Sequence, residues 1–314
     1  MTAEGTKPAA RGKRVALVLG AGGARGLAHI GVIEALEARG FEIAAIAGSS
    51  MGALVGGIHA AGKLAAYRDW ADRLERNDVL RLLDVTFGAS GLIRGERVIA
   101  TLRDLVGEHR IEDLPIPYVA VATDLATQRE VWFQQGPLFD AIRASIAIPM
   151  VFTPHEVNGR ELVDGGLLAP LPLAATRGFH CDYVVAVDLN ARSPRAPTSE
   201  PVPLREAEMF NDDAPVAPSG WKSRVASWFS APPPPAGAVA PASGGGIASL
   251  LDLMSRSMDT MHSQMTRLQV AQDPPDLVIR VPRDAASFYE FWRAKELRER
   301  GREWAEDALA AWVQ

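Results

Sequence analysis

Three short stretches of the sequence carry residue types suited to acyl transfer: Gly20-Ala21-Gly22-Gly23-Ala24-Arg25-Gly26, Gly48-Ser49-Ser50-Met51-Gly52 and Asp164-Gly165-Gly166. The second is a G-x-S-x-G set between an apolar run and a stretch of small residues. A serine on so tight a strand-to-helix turn is pushed out of the sheet toward solvent, and Gly48 and Gly52 remove the Cβ atoms that would collide. Ser50 also opens a helical stretch, where free N–H groups and the helix dipole favour negative charge beside it. It is a candidate nucleophile. The five letters alone describe more readily a Gly-Ser turn in which Ser49 or Ser50 caps the helix, but the preceding strand shifts the balance toward chemistry.

The glycine loop ends an earlier strand pattern, and the carboxyl ends of parallel strands all point to one edge of a sheet. Backbone N–H groups of Gly22, Gly23 and Ala24 are therefore candidate donors to the oxyanion of a tetrahedral intermediate. A dinucleotide cradle is the competing chemistry. With Gly20 and Gly22 as its first two glycines, however, Arg25 takes the third place of G-x-G-x-x-G. Gly48 and Ser49 also stand where an acid for a ribose would be needed. A loop that merely lets strand and helix pack closely explains Arg25 poorly.

A serine nucleophile needs a base. None of the six histidines, His29, His59, His109, His155, His180 and His262, has a spacing that marks it as a triad member or a metal ligand. An α/β-hydrolase would place several strands before its elbow, whereas two precede Ser50. The best base candidate is Asp164, which ends a short strand pattern, with Gly165 and Gly166 allowing the chain to turn sharply. By itself Asp-Gly-Gly is also an ordinary turn.

The elements that must hold these groups follow from periodicity. Arg14 to Leu19 and Ile43 to Ala47 read as buried strands, followed by helices from Gly26 to Arg39 and from Met51 to about Leu64. Such alternation argues for a parallel sheet covered by helices, because parallel neighbours need a crossover. Tyr67 to His109 reads as largely helical with breaks near Gly88 and Gly91. Tyr118 to Thr123 and Arg129 to Phe133 read as a hairpin, Leu138 to Ile146 as a helix, and Glu161 to Val163 and Tyr183 to Leu189 as strands. From 191 to 246 prolines cluster among Ser, Ala and Gly, the composition of a flexible insertion. Helical spacing resumes from Leu250 to Leu268, with a last strand from Leu277 to Val281. The closing helix, Phe288 to Trp312, mixes five basic and six acidic residues, which reads as a solvated outer face.

The chain has 314 residues, 47% of them apolar and 23% charged, enough to bury a core and too apolar for a disordered protein. A formal charge of −5 excludes a general nucleic-acid binder. The single cysteine, Cys181, leaves no partner for an intrachain disulfide or a Cys-based metal site; leading into a strand, it reads as a packed thiol. No signal-type apolar stretch follows the basic residues near the start, and no unbroken apolar window reaches bilayer-spanning length. The expectation is a cytoplasmic protein, soluble or resting on a membrane surface.

The three motifs in order resemble the patatin-like phospholipases. Ala28-His29-Ile30-Gly31-Val32, Thr123-Asp124-Leu125, Arg143 to Pro149 and Pro170-Leu171-Pro172 are similar to the bacterial branch near the neuropathy-target-esterase catalytic domain. The resemblance runs from about 14 to 188 and resumes weakly from 275. It implies a three-layer α/β/α patatin-like fold with a mostly parallel central sheet. The catalytic core would span 14–190, the insertion 191–246, and residues 247–314 would complete the same domain. It further implies a serine esterase acting on phospholipids or lysophospholipids, in which Ser50 attacks the ester carbonyl and Asp164 accepts its proton. Arg25, Gly26, Gly48, Gly52, Gly165 and Gly166 would support the site, and no metal or organic cofactor is implied. A free aspartate with a pKa of about 3.9 is a feeble base at neutral pH, so the reading expects burial to raise Asp164. Two departures bear on rate and substrate preference. Ala21 stands where three glycines often run, and Ala169 where an asparagine is frequent.

Inside the insertion, Trp221, Val225, Trp228 and Phe229 fall at helical spacing beside Lys222 and Arg224. The spacing suits a short interfacial helix giving peripheral membrane contact, a lid over the cleft, or an apolar segment docking on its own domain. Two rivals to the esterase remain: a nucleotide-binding oxidoreductase, and a binding protein that keeps the fold without turnover.

Overall fold

The computed structural model describes residues 12–84, 93–192 and 247–312. The Trp221, Trp228 and Phe229 segment, the breaks near Gly88 and Gly91, and the insertion beyond Arg192 lie outside the described residues. In chain order the elements are β1 (Arg14–Leu19), a 3-10 turn (Gly23–Leu27), α1 (Ala28–Ala38), β2 (Glu42–Ser49), α2 (Met51–Ala60), α3 (Leu64–Ala71), α4 (Arg76–Leu82) and α5 (Glu96–Val106). They continue with β3 (Tyr118–Asp124), β4 (Arg129–Phe133), α6 (Leu138–Ser145), β5 (His155–Val157), β6 (Arg160–Asp164) and β7 (Tyr183–Ala191). The last are α7 (Ile247–Gln272), β8 (Leu277–Pro282) and α8 (Ala294–Trp312). Residues 1–193 and 261–314 form one compact unit and 194–260 a second, of which only the first part of α7 is described.

The sheet is mixed. Five strands run parallel in the order β3-β2-β1-β7-β8, and β4, β5 and β6 add antiparallel pairings at the β3 end. Parallel strands are buried on both faces, which is why β1 and β3 are continuous apolar runs. Successive side chains still divide between the faces. Val15, Leu17 and Leu19 of β1 join the main core with α1, α2 and α8, whereas Val18 faces Leu171, Leu173 and Ala186 on the other side. That second layer is thin, made of the 3-10 turns Gly165–Leu167 and Leu173–Thr176 and of α7, whose Val270 packs there. Each such fully buried Val, Leu or Ile contributes about 1.5–3 kcal/mol.

One expectation fails on α8. Its charges are not all solvated: Arg298 is 17% exposed, binds Asp72 just past the end of α3 at 2.9 Å and lies 3.6 Å from Glu34 of α1. Arg302 also reaches Glu34, at 2.8 Å. The long arginine stems let charge reach between packed helices that small residues bring close. Cys181 is half-buried, and burial pushes its thiol up. Among the described residues no helix is long and apolar enough to cross a membrane.

Candidate active site

The site arises where two strands meet end to end. β3 pairs with β4 along Ala120 to Asp124, so β2 and β6 must share its opposite edge. β2 runs up that edge in parallel as far as Ser49 opposite Val121, and β6 comes down it antiparallel to Asp164 opposite Ala122. Ser50 and Asp164, 114 positions apart, are thereby delivered to one point, and Ser50 Oγ donates a 2.5 Å hydrogen bond to Asp164 Oδ2. The glycine after the acid permits this approach: a side chain at Gly165 would fall 2.7 Å from Ser49 Oγ and collide with the Val121 carbonyl.

Ser50 occupies the N-cap position of α2 but does not cap it. Its hydroxyl is turned to Asp164 instead, on a backbone with φ 55° and ψ −124°. A non-glycine residue adopts such a conformation at a cost of about 1–3 kcal/mol, which surrounding structure must hold in place. Both side chains are almost fully buried, Ser50 being 2% and Asp164 3% exposed. Burial pushes the Asp164 carboxyl up to about 7, against the hydrogen bonds from Ser50 and from the Gly166 N–H, which pull it down. Desolvation wins because the charged form loses more hydration than two donors restore.

The glycine loop lies against this pair. A side chain at Gly26 would strike Met51, one at Gly48 the Gly52 backbone, and one at Gly52 the Leu19 carbonyl, so the loop and the serine turn are in close contact. The three nominated amides are not equivalent. Ala24 N–H donates to the Phe288 carbonyl at 2.8 Å and Ala21 N–H to that of Pro170 at 2.8 Å. Ala24 is thus committed elsewhere, a correction to its nomination. Gly22 and Gly23 N–H make no such bond among the described residues. Arg25 is buried and binds the carbonyls of Gly22 at 3.2 Å and Arg283 at 2.7 Å, with Asn190 Oδ1 at 3.3 Å. Asn190 in turn donates to the Ala21 carbonyl at 2.9 Å. From below, His29 Nε2–H donates to the Gly20 carbonyl at 2.9 Å, and burial lowers this imidazole to about 4, leaving it neutral.

Sequence reasoning missed Asn190, His29 and Phe288 as loop supports. An asparagine ending a buried strand pattern was the available signal for the first. The other histidines stay apart from the serine's hydrogen bond, although His262 of α7 comes near the acid: a Cβ on Gly166 would lie 2.9 Å from Asp164 Oδ1 and 3.2 Å from His262 Nε2. Ala169 sits in an apolar cluster with Ala47, Val119, Val121 and Ala175, so an alanine suits its surroundings in this chain.

The sequence profile of patatin-like phospholipases matches residues 17–177. An uncharacterised NTE family protein of Mycobacterium tuberculosis is 45% identical over 343 aligned positions, covering 95% of this chain and 92% of that protein. A lysophospholipase of Saccharomyces cerevisiae is 32% identical over 192 positions, covering 59% of this chain and 11% of that protein. VipD from Legionella pneumophila, a solved structure, aligns with a TM-score of 0.39 at 14% identity over 98% of this chain and 67% of that one. The family profile places this chain among the lipid acyl hydrolases in general. The chain belongs to the patatin-like phospholipase family.

Proposed function

We propose that this protein is a serine esterase that hydrolyses phospholipids or lysophospholipids through Ser50 and Asp164. The observation that carries the reading is the 2.5 Å hydrogen bond from Ser50 Oγ to Asp164 Oδ2 inside a buried site. Ser50 Oγ attacks the ester carbonyl carbon as its proton passes to Asp164. A carboxyl raised to about 7 holds that proton far better than a solvated aspartate would. The carbonyl oxygen becomes an oxyanion, for which the Gly22 and Gly23 amides are the donors in this reading. Asp164 then returns its proton to the departing alcohol oxygen as the C–O bond breaks. Water repeats the cycle on the acyl-serine: its proton goes to Asp164, hydroxide adds to the carbonyl, and Ser50 leaves with the proton restored.

Family membership favours the esterase over the dinucleotide reading, and the serine–acid hydrogen bond favours it over a fold kept only for binding. A panel of lipid classes assayed with wild type, Ser50→Ala and Asp164→Asn tests it. Free fatty acid should form from one or more glycerophospholipids with wild type, not with Ser50→Ala, and at least about a hundredfold more slowly with Asp164→Asn; a product that survives Ser50→Ala would sink the proposal.

A further inference from the structure

The two proposed reacting residues are held not only by their strands but by a third segment, the end of α6. Ser145 is its last residue and is fully buried. A buried serine on a helix commonly turns its hydroxyl back to a carbonyl of its own helix. Ser145 instead donates to the Val121 carbonyl of β3 at 2.6 Å, while its oxygen accepts the backbone N–H of Ser50 at 2.9 Å. Two residues on, the Ala147 carbonyl accepts the backbone N–H of Asp164 at 2.9 Å. One three-residue stretch thus holds the main-chain amides of both partners.

We propose that Ser145 is a positioning residue for the nucleophile, with Ala147 as its counterpart for the acid. The inference rests on the Ser50–Asp164 reading. Ser50 N–H lies at the N-cap position, ahead of α2, so no carbonyl of α2 can take it. Its positive φ also needs an outside partner to over-determine it. Ser145 Oγ supplies that partner, and its own bond to Val121 fixes the hydroxyl hydrogen so that a lone pair faces Ser50. Val121 is the rung opposite Ser49, so the hydroxyl ties the serine turn to the strand that sets its register. Without the hydroxyl the Ser50 backbone is free to relax, and Oγ moves relative to Asp164 and the oxyanion amides. Misplacement of about 1 Å costs about a hundredfold in rate.

The test compares wild type, Ser145→Ala, Ser145→Thr and Ser50→Ala in steady-state hydrolysis of a monomeric short-chain ester and in labelling by a fluorophosphonate. Rates are referred to the folded fraction from near-ultraviolet circular dichroism. Ser145→Ala should lower kcat and the labelling rate by about ten- to a hundredfold with KM within about twofold, and Ser145→Thr should recover most of the loss. Unchanged kcat and labelling in Ser145→Ala, with both abolished in Ser50→Ala, would overturn the positioning role and leave the dyad standing. A loss not recovered by a natively folded Ser145→Thr would reduce Ser145 to packing and also overturn it. Turnover that survives Ser50→Ala would instead remove the reading on which the inference rests.

Discussion

Ser49 and Asp164 stand on consecutive rungs of one edge of β3, opposite Val121 and Ala122. Two strands running toward each other end there, so the serine that follows the first and the acid that ends the second have nowhere to go but together. The proximity of the pair is a property of the sheet.

Asp164→Asn keeps the shape of the acid but cannot accept the Ser50 proton. Turnover should fall by about a hundredfold to ten-thousandfold with little change in KM, measured on any ester the wild type cleaves. An Asn variant with wild-type kcat would show that another group is the base.

In the proposed mechanism Asp164 works as a carboxylate, and burial pushes its carboxyl up to about 7. For wild type, kcat/KM should rise about tenfold per unit below pH 7 and level off above it. The residual activity of Asp164→Asn should lack this limb. A wild-type profile flat from pH 5 to pH 8 would contradict the raised carboxyl.

The same shift bears on stability, with opposite sign to the usual carboxylate. The folded state holds the Asp164 proton up to about 7, whereas the unfolded chain releases it near the ordinary 3.8. Stability contributed by the protonated form is complete below the lower value and is lost as pH rises through the upper one, about 4 kcal/mol at most. Asp164→Asn should therefore gain on wild type between pH 4 and pH 8, read from urea midpoints at both. An equal difference at the two pH values would rule out burial as the cause.

Arg298→Met should destabilise the fold by about 2 kcal/mol, because it leaves Glu34 and Asp72 facing each other between α1, α3 and α8 without their shared cation. Urea denaturation would show it. Glu34→Gln combined with Arg298→Met should cost less than the two single changes summed.

Asn190→Leu removes the donor to the Ala21 carbonyl and the acceptor for Arg25. The loop amides should lose alignment, lowering kcat about tenfold while the carboxyl limb of the pH profile stays in place. A displaced limb would mean that Asn190 acts on the acid and not on the loop.

Much of this was legible in the sequence. The glycine loop and the serine turn could be placed because each ends a strongly apolar strand run dictated by burial on both faces, and the acid because two glycines follow the short pattern of β6. β5 was missed: its three residues carry one aliphatic side chain, too short for a period. The signal that could have found it was the turn, since Asn158 and Gly159, with φ 52° and 72°, form the Asn-Gly hairpin connection between β5 and β6. The buried charges of α8 were misread because a helical sequence does not reveal which face a neighbour will cover. Ala24 was nominated beside Gly22 and Gly23 because nothing local announces that the Phe288 carbonyl, more than two hundred positions away, takes its amide. Ser145 carried no role for the same reason: its partners lie on β3 and at the head of α2.

Because rungs of β3 fix the proposed reacting pair, the lengths of the loops between α2, β3, α6 and β6 are immaterial to the chemistry so long as β3 and the Ser145 to Ala147 stretch keep their places. Inserting or trimming residues in these loops should alter what reaches the serine, whereas slipping β6 by a single residue would turn the acid to the far face of the sheet. Diversification of this scaffold is therefore cheap in the loops and forbidden in one short ladder.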